Sequence, residues 1–301
     1  MTKPVQFGRR STADQVLAGI DLSGKRIVVT GCSSGLGFET LNAFAANGAT
    51  VIGVARTFSA ASTACAQASP LCIPIGCDLA DLESVAAAVH AIRDLSLPLD
   101  AIVANAAVAN LPALEFRYGV EMQFLANHIG HYALVNGLAD LLRDNTGRVV
   151  VVSSSAAIDT APLEGIMFDN LDGSRFYKPS TFYGQSKLAN ALYAMELSRR
   201  LRGRGIAVNA ADPGAARTRI NTGYFARLFA KSPAQAAATQ AFLAASPRAS
   251  GVTGEYWSDC AVSHGTPLLR DAALAGRLWQ VSDDIVSRAS SPGERSLLRA
   301  A

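Results

Sequence analysis

The stretch YGQSK, residues 183–187, sets a tyrosine and a lysine four positions apart. Pro179 and Ser180 read as a helix start, Leu188, Leu192 and Met195 recur at helical spacing, and Gly203 and Gly205 supply a stop. Tyr183 and Lys187 therefore fall in the first turns of one helix, on one face. A phenol ordinarily loses its proton at about pH 10. An ammonium held within a few ångströms favours the phenolate and draws that value down, so such a tyrosine could trade protons near neutrality. The competing reading is a solvated pair on an ordinary helix face, and the spacing alone does not choose between them.

A second candidate lies near the N-terminus. The apolar run RIVVT (26–30) leads into TGCSSGLG (30–37), where Gly31, Gly35 and Gly37 open a helical pattern. Glycines let backbone approach a phosphate closely, and a helix N-terminus offers it free N–H groups and a partial positive charge. At the end of the next apolar run, where an acidic side chain would bind the 2′-hydroxyl of NAD, stand Ala55 and Arg56. Arg56 suits a 2′-phosphate through its planar fork, or is simply solvated. Asp78, in CDL (77–79), follows the third run and could equally cap the helix after it. His128 and His131 offer two imidazoles from one helical stretch, but no third metal ligand is evident, so packing or hydrogen bonding is expected of them. The five cysteines, Cys32, Cys65, Cys72, Cys77 and Cys260, show neither C-x-x-C nor metal-ligand spacing, so reduced thiols are expected.

These groups need elements to position them. Short β-rich runs at 26–30, 50–55, 71–76, 101–105, 148–153 and 206–211 alternate with helical stretches at 35–47, 81–94, 117–143 and 180–203. Continuous apolar strands joined through helices imply an α/β fold, a single doubly wound parallel sheet with helices on both faces. With 301 residues and no repeat or linker, one domain over 23–286 is expected, with an N-terminal extension at 1–22 and a mobile polar tail at 287–301. Half the residues are hydrophobic, 17% are charged and the net charge is +3, which recommends neither disorder nor nucleic-acid binding. No leader-like apolar region opens the chain and no run reaches membrane-spanning length, so a cytoplasmic protein is expected.

TGCSSGLG, CDL, ANAAV (104–108), NHIGHYAL (127–134), VVSSS (151–155), YGQSK and DPG (212–214) follow one another in the order and at about the intervals of the short-chain dehydrogenase/reductase family. The chain resembles that family over about residues 5–260, and YGVEMQFLANHIGHYAL and YGQSKLANALYAMEL are most similar to its retinol dehydrogenase and WW-domain oxidoreductase branch. The resemblance implies a Rossmann fold with Tyr183 as general acid/base and Lys187 lowering its pKa while holding the nicotinamide ribose. Ser154, or Ser155 in the alternative register, would bond the substrate oxygen, and Asn127 would anchor a water relaying protons to Lys187. The implied cofactor contacts are Gly31, Ser33, Ser34, Gly35, Leu36, Gly37, Arg56, Asp78, Leu79, Asn105, Ala106, Tyr183, Lys187, Pro213, Gly214 and Thr218. NADP(H) is expected in preference to NAD(H), with no metal. Alanine replaces the family's glycine at 107, and VVVSS lacks the polar residue often found two before the first serine.

After DPG comes AARTRINTGYFARLFAKS (215–232), where family members carry a lid. Tyr224, Phe225, Leu228 and Phe229 would give a short helix one apolar face, and Arg217, Arg219, Arg227 and Lys231 add four cations. One reading packs that face on the core and leaves the cations solvated; the other closes it over a bulky apolar ketone, aldehyde or secondary alcohol. Three activities remain: hydride transfer to and from carbonyls, reduction of a carbon–carbon double bond by the same pair, and nucleotide sensing with little turnover. Helices 117–143 and 180–203 resemble those with which family members form dimers and tetramers, so a homo-oligomer is expected.

Overall fold

Strand β1 (Arg26–Thr30) is buried from Ile27 onward, because both its faces are covered. It lies inside an eight-stranded sheet of a computed structural model that describes residues 6–215 and 230–290. In spatial order the sheet runs β3 (Ile73–Gly76), β2 (Thr50–Ala55), β1, β4 (Ala101–Ala104), β7 (Arg148–Val152), β8 (Ala207–Asp212), β9 (Tyr256–Ser258) and β10 (Ala261–Val262). All neighbours pair in parallel except β9 and β10, which form an antiparallel hairpin. Its turn residues Asp259 and Cys260 both adopt positive φ, 53° and 61°, as a tight primed turn demands.

Alternate side chains of each strand supply two separate cores. Ile27, Val29, Val51 and Val150 face one way, against α1 (Ala13–Leu17), α2 (Gly35–Ala46), α3 (Phe58–Ala68) and a helix at Ala238–Ala245. Val28, Ile52, Ile102 and Val149 face the other, against α4 (Leu82–Asp94), α6 (Gly130–Leu138), α8 (Pro179–Arg200) and the helix Ala272–Ala289. The doubly wound α/β arrangement expected from the alternating runs is the one observed.

Two expected boundaries need correction. The stretch 117–143 is not one helix: β5 (Phe116–Arg117) and β6 (Val120–Glu121) form a small ribbon first, and the helical part starts at α5 (Met122–Phe124). Buried Glu121 fixes that start by accepting from the backbone of Gln123 and Phe124. Strand β3 begins only at Ile73, since Leu71 is exposed. The N-terminal extension is built into the body: Ala13, Val16 and Leu17 are buried, and Phe7 meets Phe242 edge-on at 5.9 Å. Of the polar tail, 287–289 still belong to the helix Ala272–Ala289, and 291–301 lie outside the described residues.

Close packing fixes where α6 sits. A Cβ at Gly130 would come within 2.1 Å of the Leu79 carbonyl oxygen, which is backbone and cannot yield. Gly130→Ala is therefore expected to destabilise the fold by about 1–3 kcal/mol, as an overpacked core does. Urea denaturation read by circular dichroism measures it, and an unchanged midpoint would show that α6 is free to shift.

Candidate active site

The carboxyl ends of β1 and β4 part at the point where their helices leave for opposite faces of the sheet, which is where open α/β sheets leave a crevice. Thr30, the last residue of β1, bridges the gap. Its Oγ1 accepts from the backbone N–H groups of Asn105 (2.8 Å) and Ala106 (3.0 Å), and its carbonyl accepts from Asn105 Nδ2 (2.8 Å). With both lone pairs engaged, the Thr30 hydroxyl proton goes to His131 Nε2 at 2.8 Å. That assigns the ring's own proton to Nδ1, which donates to the Asn127 carbonyl at 2.9 Å. Burial holds the His131 pKa down to about 4, so the neutral ring this chain needs is the one present at neutral pH.

The glycine loop wraps this corner. Gly31 has φ +71°, and a Cβ on Gly37 would lie 2.1 Å from the Gly31 carbonyl oxygen, so only glycine at 37 lets α2 start so close to β1. Ser34 caps α2 without a side-chain hydrogen bond, Ser33 and Ser34 face solvent, and Gly35 and Leu36 are partly exposed. A first helical turn presented in this way fits a phosphate. Arg56 is exposed just past β2. Asp78 closes the turn before α4, accepting from Ala80 N at 3.0 Å, while the cap of α4 itself is Asp81. Leu79 is buried beneath α6.

Asn127 sits in a single π-helical stretch, Leu125–Ile129, a rare geometry found mostly at functional sites. Its side chain exchanges two 2.8 Å bonds with the backbone of Val108 and donates to Ser186 Oγ at 3.0 Å. Ser186 in turn donates to the Tyr183 carbonyl, which ties the π-helical turn to α8.

On α8, Gly184 lets the helix touch residues 160–161, since a Cβ there would meet the Ala161 nitrogen at 2.5 Å. Lys187 is 1% exposed, donates to the Val152 carbonyl at 3.1 Å and lies 5.8 Å from the centre of the Tyr183 ring. The three serines after β7 divide their work. Ser153 is buried and donates to the Lys187 carbonyl at 2.7 Å; Ser154 stands beside the Tyr183 phenol and favours its ionised form; Ser155 is exposed, with its backbone N–H favouring the Asp212 carboxylate. Ser154 rather than Ser155 thus shares a site with Tyr183.

The protein's own groups do not give the depressed phenol expected from the Tyr/Lys spacing. Burial pushes the Tyr183 pKa up; the Ser154 hydrogen bond opposes this, and the Asp212 carboxylate adds to it. Burial also draws Lys187 down, to about 8, against the pull of Asp212, and its ammonium points to a strand carbonyl rather than to the phenol oxygen. Asp212 itself is buried, with its pKa raised by burial against hydrogen bonds from Gly214 and the charge of Lys231.

Sequence reading missed several of these groups. Thr30, Asp212 and the buried Gln240, which donates to Asn105 Oδ1 at 3.1 Å, carry no local signal of their roles, whereas the hydrogen bonding expected of His131 is observed. Lys231, expected among four solvated or rim cations, is buried and paired with Asp259 at 2.6 Å. Pro213 and Gly214 border the same corner, whereas Thr218 and the lid residues Arg217, Arg219, Tyr224, Phe225, Arg227, Leu228 and Phe229 lie outside the described residues. His128 is a core residue, bonded to Ser282 at 2.8 Å.

The short chain dehydrogenase profile matches residues 25–166. A WW domain-containing oxidoreductase of Danio rerio is 36% identical over 311 residues, spanning 96% of this chain and 75% of the relative. The chain belongs to the short-chain dehydrogenase/reductase family. Retinol dehydrogenase 14 of Homo sapiens is 34% identical, over 88% of this chain and 87% of its own, which places the chain in the same branch. A crystal structure of an uncharacterized protein from Mycobacterium paratuberculosis superposes with a TM-score of 0.76 at 30% identity, over 92% of this chain and 97% of that one. As a member of this family the chain is an oxidoreductase that uses a nicotinamide dinucleotide, and the uncapped first turn of α2 fits that cofactor's phosphates.

Burying Lys187 has a measurable cost. Its folded pKa of about 8 lies below the ordinary 10.5, so between those values the unfolded chain binds more protons than the folded one, and stability rises with pH. Lys187→Met should remove that rise and gain up to about 3 kcal/mol at pH 7. Denaturation midpoints of both proteins from pH 7 to about 11 test this; parallel curves would mean that Lys187 is not held below its ordinary value.

Proposed function

We propose that the chain transfers a hydride between NADP(H) and a hydrophobic ketone, aldehyde or secondary alcohol, with Tyr183 as the acid/base, and that it does so in the cytoplasm. The observation that carries this reading is the convergence of Ser154, Tyr183 and Lys187 beside the glycine loop's corner of the sheet. When bound, the nicotinamide gives or takes the hydride. In reduction, the Tyr183 phenol passes its proton to the carbonyl oxygen while the Ser154 hydroxyl donates to the same oxygen, stabilising charge as it develops. Oxidation runs the same transfers backwards. Lys187 compensates the phenolate and holds the nicotinamide ribose. Asn127 acts through its backbone, because three bonds already hold its side chain to Val108 and Ser186; one lone pair of its carbonyl takes the His131 proton and the other serves a water leading toward Lys187.

The nucleotide would be held by Gly31, Ser33, Ser34, Gly35, Leu36 and Gly37 at the phosphates, Arg56 at the 2′-phosphate, Asp78, Leu79, Asn105 and Ala106 along the adjoining strand ends, and Pro213, Gly214 and Thr218 at the nicotinamide. For the substrate, the two segments that leave β4 and β7 expose Leu114, Phe116, Ile158, Leu163 and Phe176, more apolar surface than a polar substrate calls for.

Tyr183→Phe keeps the ring and removes the proton, so turnover of an apolar carbonyl series should fall by at least about a hundredfold, the usual share of general acid catalysis, with the dissociation constant for NADPH nearly unchanged. Retained kcat would remove Tyr183 from the role, and faster turnover of sugars or hydroxy acids than of the apolar series would remove the substrate class.

Arg56→Ala should weaken NADPH by about one to two decades, the worth of a charge-assisted bond to phosphate, and leave NADH untouched. Equal affinities of the unaltered protein for the two cofactors would refute the preference.

A further inference from the structure

Gln123 is fully buried, lies four positions before Asn127, and has no part in the hydride transfer proposed above. Its amide is held on three sides. Oε1 accepts from the backbone N–H of Asn110 at 2.6 Å, and Nε2 donates to Glu121 Oε1 at 3.1 Å and to the Pro179 carbonyl at 3.2 Å. With a donor facing one end and two acceptors facing the other, the amide seats in only one orientation. Glu121, also fully buried, is fixed in turn, because its second oxygen accepts from the backbone N–H groups of Gln123 and Phe124 at 2.9 and 3.0 Å. An apolar side chain at 123 would fill the same space but leave the Asn110 N–H and the Pro179 carbonyl without this partner, and a saturated buried network of this kind specifies one arrangement of the segments it joins.

Gln123 and Asn127 form two rungs of the same kind. Asn127 joins Val108, in the segment that leaves β4, to Ser186 of α8. Gln123 joins Asn110, two residues further along that segment, to Pro179, the first residue of α8 and four positions before Tyr183. Asn110 turns the segment with φ +53°, and the bond to Gln123 fixes that turn. Two further contacts draw the segment onto the chain that enters α8. The Tyr177 hydroxyl donates to the Leu111 carbonyl at 2.6 Å, and Leu114 packs so closely on Gly173 that a Cβ there would lie 2.7 Å from Leu114 Cδ1. Segments 108–114 and 171–179 thereby become one wall, on which Leu114 and Phe176 are exposed.

We propose that Gln123 is a positioning residue for bulky substrates, the second rung that fixes the wall of segments 108–114 and 171–179 against the Tyr183 helix. The proposal rests on the carbonyl/alcohol reading above. Gln123 bonds neither Tyr183 nor Ser154, so losing it slackens the wall and weakens the binding of a substrate large enough to lean on Leu114 and Phe176. A short aldehyde that fills only the space beside Tyr183 does not reach the wall. The chemical step and the nucleotide are served by other residues and stay as they are. The expected loss for a bulky substrate is roughly three- to tenfold, the size of one hydrogen bond.

The test compares the full chain with Gln123→Met, which keeps the length of the side chain and removes its hydrogen bonds. Steady-state kinetics with NADPH use a bulky aromatic ketone and a short aliphatic aldehyde. The expected result is a KM for the ketone raised roughly three- to tenfold, with kcat, the KM for the aldehyde and the NADPH dissociation constant all within about twofold of the unaltered protein. Hydrogen exchange read by mass spectrometry on the peptide 105–115 should show the Asn110 amide slow in the unaltered protein and roughly three- to tenfold faster in the variant. Tyr177→Phe removes one bond from the same wall while keeping the ring, and should raise the ketone KM alone, by about threefold; it reads the same split if Gln123→Met does not fold. Exchange at Asn110 that the substitution leaves unchanged would overturn the tie. Faster exchange with an unaltered ketone KM, or kcat and NADPH affinity falling along with it, would overturn the role in substrate positioning. An unaltered protein that turns over neither probe would instead refute the proposed reaction, and the exchange measurement would still decide whether Gln123 holds the wall.

Discussion

Parallel strands can hold one another only as far as their ladders run, and the ladder between β1 and β4 stops at the pair Val29–Val103. Beyond it the chains must diverge, because the helices they feed lie on opposite sides of the sheet. Thr30 holds the parting strands. Its hydroxyl and carbonyl take three donors from Asn105 and Ala106, so the crevice has a fixed width where the ladder no longer supplies one. Buried Gln240 reinforces it from the far side of Asn105. The same hydroxyl, with its lone pairs filled, leaves His131 only the acceptor role, and the ring passes the constraint to the Asn127 carbonyl. From there Ser186 carries it to α8. One saturated hydroxyl thereby sets the relative position of the glycine loop and the Tyr183 helix, two features far apart in the chain.

Lys187 shows what that rigidity holds in place. An ammonium with 1% exposure is expensive unless its donors find partners, and here the Val152 carbonyl, shared with Asn190 Nδ2, lies at the end of the last buried residue of β7. Strand β7 is therefore both a core element and the acceptor for a charge. Ser153 locks the arrangement from the opposite direction, bonding the Lys187 carbonyl. Shifting α8 by one residue would strand the ammonium against Val151 or Ser153, so register along this helix is tied to charge as well as to apolar contacts.

Much of this was legible in the sequence, for reasons that differ by element. The central strands read clearly because burial on both faces leaves unbroken β-branched runs such as RIVVT and RVVVV. Tyr183, Lys187 and the glycines stood out because their chemistry requires particular types at fixed local spacing. The ribbon at 116–121 did not, since its two-residue strands depend on Glu121 reaching forward to Gln123 and Phe124 rather than on any periodicity. The hairpin β9–β10 was hidden for a related reason: Asp259 and Cys260 are poor matches to the glycine-rich primed turn they form, and Asp259 is held there by its ion pair with Lys231. Thr30 and Asp212 were silent because their roles arise only from contacts across the sheet, which a linear pattern does not encode.

Burial, with a smaller contribution from Asp212, explains why the protein's own groups raise the Tyr183 phenol where the local spacing of the Tyr/Lys pair would lower it. A tyrosine and a lysine four apart on a helix lower the phenol's pKa when the pair is solvated or when the ammonium faces the phenolate. Here burial acts on both groups, raising one and lowering the other, and narrows the gap between a phenol at its ordinary 10 and an amine at its ordinary 10.5 only to reopen it with the order inverted. A carboxylate placed beside them moves both upward: it steadies the charged lysine while opposing the phenolate. Among the described residues, Ser154 is the group that favours the phenolate. The fold therefore contributes orientation first, a phenol, a hydroxyl donor and an ammonium fixed on adjoining elements, and leaves the acidity of Tyr183 responsive to whatever further charge enters the crevice.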